Sequence, residues 1–148
     1  MKDSFEDYEK SCAQIREEND LLLDGFGDIM RAQPLAASTI RKHQENVDFF
    51  INTFLLYREP IRPEEGIRMV GEYLGDWFIR KGMWSSPQAM KSTAASLHKF
   101  YAFLAITEKI TLKDYYELKR ILTANLVEWQ ARCRRYNDGD DDWMGFPP

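Results

Sequence analysis

Apolar residues in this chain recur at every third and fourth position through five stretches, and no stretch alternates long enough to form a strand. That spacing lines side chains along one face of an α-helix, so the chain is constrained to an all-α fold. The clearest case is SSPQAMKSTAASLHKFYAFL, from Ser85 to Leu104. Ser86 can cap the free amides of a first turn, and Pro87 takes the first helical position, where no amide is needed. Met90, Ala94, Leu97, Tyr101 and Leu104 then step by four and three. The first half of this segment is basic and the second half aromatic.

The remaining stretches read in the same way. Phe5, Tyr8, Cys12, Ile15, Leu22, Phe26 and Ile29, interrupted by Asn19, predict one long helix or two short ones from about Ser4 to Arg31. Gly25 and Gly27 weaken its end, and Gln33-Pro34 stops it. Ser38 is the expected cap of a second helix carrying Ile40, Val47, Phe50, Ile51, Phe54 and Leu55. Arg58-Glu59-Pro60 and Arg62-Pro63 form a linker, and Pro63-Glu64-Glu65 starts a third helix. Ile67, Val70, Leu74, Trp77 and Phe78 are its stripe, and Gly82 its expected end. Thr111 and Asp114 match a capping box, followed by Tyr115, Leu118, Leu122, Leu126, Trp129 and Cys133. The pattern fails after Tyr136. The expectation is one helical domain over residues 1–136, with an acidic N-terminal helical segment at 1–33 and core helices over 38–136. Residues 137–148 form an acidic tail that ends in Trp143-Met144-Gly145-Phe146-Pro147-Pro148. The expected core includes Phe50, Phe54, Leu74, Trp77, Leu97, Tyr101, Leu122 and Trp129.

Composition narrows the function classes. With 44 % hydrophobic and 14 % aromatic residues in 148, the chain is too apolar to be disordered. No apolar run approaches the roughly 20 residues that span a bilayer, and the opening Met1-Lys2-Asp3 does not resemble a secretory leader. Cys12 and Cys133 fall on apolar stripes and read as buried free thiols, so a cytoplasmic protein is expected, without membrane contact. The net charge of −4 is unevenly spread. Residues 1–37 hold four Lys/Arg against nine Asp/Glu, residues 38–110 ten against eight, and residues 111–148 six against seven. Only this middle segment is basic, which is where a phosphate-steering patch would sit.

Residues that carry chemistry are sparse. His43 and His98 have no neighbours at metal-ligand spacing, so no metal site is expected. Gly25-Phe26-Gly27 lacks the strand–turn–helix context of a phosphate loop and reads as a helix break. Asp138, Asp140 and Asp142 echo a calcium loop, but Trp143 stands where the sharp turn needs glycine. Arg132, Arg134 and Arg135 suit the carbonyl end of a helix. No cofactor and no catalytic constellation emerge.

Two patches carry a family likeness. One is Leu35-x-x-Ser38-Thr39-Ile40, followed by Phe50 and Phe54-Leu55. The other is Lys91-x-x-x-x-Ser96-Leu97-x-x-Phe100-Tyr101-x-Phe103-Leu104, followed by the Glu108-Lys109-Ile110 turn. In order and spacing these resemble the N-terminal core-binding (SAM-like) domain of tyrosine recombinases, the phage integrases, over about Phe5 to Tyr136. The resemblance implies a compact bundle of four to five helices that lays a basic face on duplex DNA in DNA integration and recombination. It implies DNA contact by Thr39, Arg41, Lys42, His43, Lys91, Ser92 and Lys99. The family's catalytic arginine pair, histidine-x-x-arginine box and tyrosine nucleophile have no counterpart here, since His98-Lys99-Phe100 leads to Tyr101. The expectation is therefore a DNA-binding module that is not an enzyme. The alternative is a helical protein-interaction or dimerisation module, with Trp143 and Phe146 contacting a protein partner or a second copy.

Overall fold

Each of the five apolar stripes becomes a helix in the computed structural model, which describes residues 2–81 and 85–139. Helix α1 is Lys2–Arg31. Helix α2 covers residues 37–54, as α-helix Ala37–Asp48 continued by a π turn, Phe49–Phe54. Helix α3 covers residues 63–81 and is irregular. It has 3-10 turns at Pro63–Glu65 and Ile67–Met69, an α turn at Val70–Glu72, a π turn at Tyr73–Trp77 and a last α turn at Phe78–Lys81. Helices α4 and α5 are Pro87–Ile106 and Leu112–Asn137. The structure is an all-α bundle, and no helix among the described residues is long and apolar enough to cross a membrane. Gly82, Trp84 and the tail residues Asp140, Asp141, Asp142, Trp143 and Phe146 lie outside the described residues.

Local signals explain two helix starts well. The Ser86 hydroxyl accepts the Ala89 amide at 3.0 Å. At α5, the Thr111 hydroxyl accepts the Asp114 amide at 3.0 Å, and the Asp114 carboxylate accepts the Thr111 amide at 3.4 Å, which completes the capping box. At α2 the expected cap is corrected. The helix begins two residues earlier, with Ala36 in the cap position and Ser38 already inside the first turn. The Ile40 amide bonds the Ala36 carbonyl at 3.0 Å, so the backbone closes the turn without a side-chain cap.

Helix α1 corrects two further expectations. Gly25 and Gly27 do not break it, and the helix runs unbroken to Arg31. A β-carbon at Gly25 would lie 3.2 Å from Cζ of Phe103, so glycine is there to let α4 approach. Asn19 does not interrupt the buried stripe but belongs to it, together with Cys12, Ile15, Phe26 and Met30. Its amide donates to the Ile51 carbonyl at 3.3 Å and to Asn52 Oδ1 at 2.7 Å, which satisfies the buried donor. Phe5, at 62 % exposure, and Ile29 remain in solvent.

The core is built where the two π turns meet. In α2 the Leu55 amide reaches back five residues to the Phe50 carbonyl at 2.9 Å. Phe50, Ile51, Phe54 and Leu55 all point inward around this wider turn. Tyr73, in the π turn of α3, lies 4.9 Å from both the Phe50 and Phe54 rings. Trp77 lies 5.4 Å from Phe54 but stays half-buried, so it borders the core and does not fill it. Around this cluster Leu74, Phe78, Leu97, Phe100, Tyr101 and Leu104 are fully enclosed, each contributing about 1.5–3 kcal/mol of burial. The Tyr101 hydroxyl donates to the Pro63 carbonyl at 2.7 Å and ties α4 to the linker. Burial pushes the Tyr73 and Tyr101 phenols above their ordinary range, so both stay neutral.

Helix α5 closes the bundle. Trp129 is 6 % exposed and lies over Gly75, where a β-carbon would come within 2.6 Å of the indole nitrogen. Arg132 donates to the Gly75 carbonyl at 2.6 Å beside it. Cys12 and Cys133 are buried free thiols. A second, smaller core of Cys12, Ile15 and Leu56, with Tyr8 against it, holds the first half of α1 to the end of α2.

Candidate nucleic-acid interface

Helices α4 and α5 run antiparallel. At one end Gln130 donates to the Pro87 carbonyl at 2.9 Å and Asn137 to the Ser85 carbonyl at 3.0 Å. Further along, the Tyr115 hydroxyl and His98 Nε2 share a hydrogen bond of 2.9 Å. The burial of Met90, Ala94, Leu97 and Tyr101 leaves Lys91, Ala95, His98 and Lys99 toward the solvent side of α4. These face Lys119, Thr123, Leu126 and Val127 of α5 across a groove of about 480 Å³. Three lysines and one imidazole line it, and no carboxylate does.

The opposite flank of α4 meets α2 through a polar network. Ser96 donates its hydroxyl proton to the Ser92 carbonyl at 3.0 Å. With that proton committed, Ser96 Oγ accepts from Asn46 Nδ2 at 2.9 Å and from His43 Nδ1 at 2.8 Å. His43 therefore carries a hydrogen on Nδ1. Asn46 also donates to Ser92 Oγ at 3.2 Å.

Electrostatics join the two flanks. Burial, and then the charge of Lys99, hold the His43 imidazole below its ordinary value. Burial, then Lys119, then Lys99 do the same at His98. Both rings are thus neutral near pH 7, and the positive charge of the face is carried by its lysines. Six of the eleven arginines are engaged otherwise: Arg31, Arg58, Arg62, Arg80, Arg120 and Arg135 each pair with a carboxylate. Lys91, Lys99 and Lys119 form no ion pair among the described residues.

The residues implied by the family resemblance divide among three places. Lys91 and Lys99 meet in the α4–α5 groove. His43 and Ser92 serve the α2–α4 contact, half-buried and engaged with Ser96 and Asn46. Thr39, Arg41 and Lys42 are exposed on α2. Lys42 borders a separate depression of about 220 Å³, lined by Glu45, Phe49, Tyr73, Phe78 and Thr93. Lys119 was missed because the α5 periodicity was used to find the buried face. The flank next to it, read in the same helical steps, carries Lys119, Thr123 and Val127.

Among the described residues no group of His, Cys, Asp and Glu could hold a metal ion. Comparison with models of known families, with curated proteins and with solved structures finds no match to this chain.

Proposed function

We propose that this chain is a non-catalytic DNA-binding module, of the kind its resemblance to recombinase core-binding domains implies, that sets the α4–α5 face against a duplex backbone. The supporting observation is the cluster of Lys91, Lys99 and Lys119 around one groove without a carboxylate, in a chain whose net charge is −4. Charges that the fold leaves unpaired on one face are available to replace the counterions of phosphates. The paired arginines are not. Exposed Thr39, Arg41 and Lys42 on α2 extend the candidate contact beyond the groove. Duplex affinity measured at two salt concentrations tests the reading. With about three phosphate contacts, the logarithm of the binding constant falls with a slope near −3 against the logarithm of salt. The K91E/K119E variant loses most of the affinity while keeping its stability, since surface substitutions change it by only about 0.5 kcal/mol. A wild-type chain with no affinity for duplex at low salt would refute the reading.

A further inference from the structure

Val127 and Leu21 are the two most exposed large apolar side chains among the described residues, at 78 % and 73 %. Each stands among charges of one sign. Val127 lines the α4–α5 groove, where Lys91, Lys99 and Lys119 form no ion pair among the described residues and no carboxylate intrudes. Leu21 lies on α1 within residues 17–28, which hold five carboxylates and no Lys or Arg. Arg62 takes Glu18 and Arg31 takes Asp28. Glu17, Asp20 and Asp24 are left exposed, without an ion pair among the described residues. At the helical repeat these three and Leu21 fall within about 100° of one another around the α1 axis. The fold therefore presents a basic groove with an aliphatic floor and, on another helix, an acidic ridge with an aliphatic crest.

We propose that the groove's occupant is a second copy of this chain, which lays the Glu17–Asp24 ridge of its α1 between α4 and α5. The dimensions agree. The ridge runs about 10 Å from Glu17 to Asp24, and the groove about 12 Å from Lys91 to Lys99 along one edge. In this seating Leu21 covers Val127 and the half-buried Leu126, and three carboxylates stand beside three lysines. Two aliphatic side chains that water otherwise surrounds leave it together, which favours the contact. The opposed charges set its register and disfavour other seatings. Within one chain both patches stand in solvent, so the contact falls between copies. It does not rest on DNA binding.

Sedimentation equilibrium of the full chain, without nucleic acid, tests this apart from any DNA affinity. The wild-type mass rises with concentration above the 17.4 kDa of one chain and falls back as salt is added. E17K/D24K and K91E/K119E each sediment as single chains, because like charges then face one another across the contact. Mixed in equal amounts they assemble again, since the basic ridge of one meets the acidic groove of the other. That recovery also excludes misfolding as the reason each variant stays single. L21A, with every charge in place, assembles less than the wild type. A wild type that keeps the mass of one chain at every concentration would overturn the proposal. So would charge variants that assemble alone, a mixture that does not assemble, or an L21A chain that matches the wild type.

Discussion

His43 and His98 show what burial beside lysines does to a titrating side chain. Each imidazole is held below its ordinary value of 6.5, first by burial and then by nearby lysine charge. Around that pH the unfolded chain binds more protons than the folded one, so stability rises with pH there. The contribution is complete above about pH 6.5 and is lost as the pH falls through the lower folded values. Urea midpoints should therefore drop between about pH 7 and pH 5, and H43Q/H98Q should flatten that part of the curve. The carboxylates of Glu18, Asp76 and Glu117 are held low by Arg62, Arg80 and Arg120, so any loss they cause comes at more acid pH, where carboxylates protonate. Of the site's single residues, Lys91 and Lys99 were legible as basic positions on a helix whose apolar face was known. That His43 and Ser92 face α2–α4 and not solvent was not legible, because it depends on Asn46 and Ser96 arriving from two helices.

At the scale of elements, helix starts with their own chemistry were readable, as Ser86-Pro87 and Thr111 with Asp114 show. Each needs only residues within one turn of itself. Gly25 was not readable in this way, because the reason for it is the Phe103 ring on another helix. The α4–α5 turn is strained within itself. Glu108 stands at φ 62°, a left-handed conformation that crowds its β-carbon, while the Lys109 amide closes on the Leu104 carbonyl at 2.8 Å. Glycine relieves this crowding at some entropic cost in the unfolded chain, so Glu108→Gly should stabilise the protein by about 0.5–1 kcal/mol. Thermal denaturation reads the sign directly, and a lowered midpoint would contradict the turn geometry.

Across the whole molecule, stability is unevenly held. Most buried residues form one cluster joining all five helices, while the first half of α1 rests on Cys12, Ile15 and Leu56, with the Tyr8 hydroxyl bonded to the Leu56 carbonyl. Few buried contacts mean a low free energy of local opening. Amides of residues 8–12 should exchange with deuterium well before those of residues 23–30, and equal protection would show that α1 opens as one piece. The all-α class was legible from spacing alone, and so was most of the core. The two π turns were not, because a fixed helical period cannot announce its own failure. Their consequence is a slip of phase. Each behaves as one residue inserted into an α-helix, so positions counted forward at a constant 100° per residue fall out of step at Phe49 and again at Tyr73. Removing a single residue from either turn would restore the count and rotate everything after it, moving the linker in one case and the Trp129 seat at Gly75 in the other.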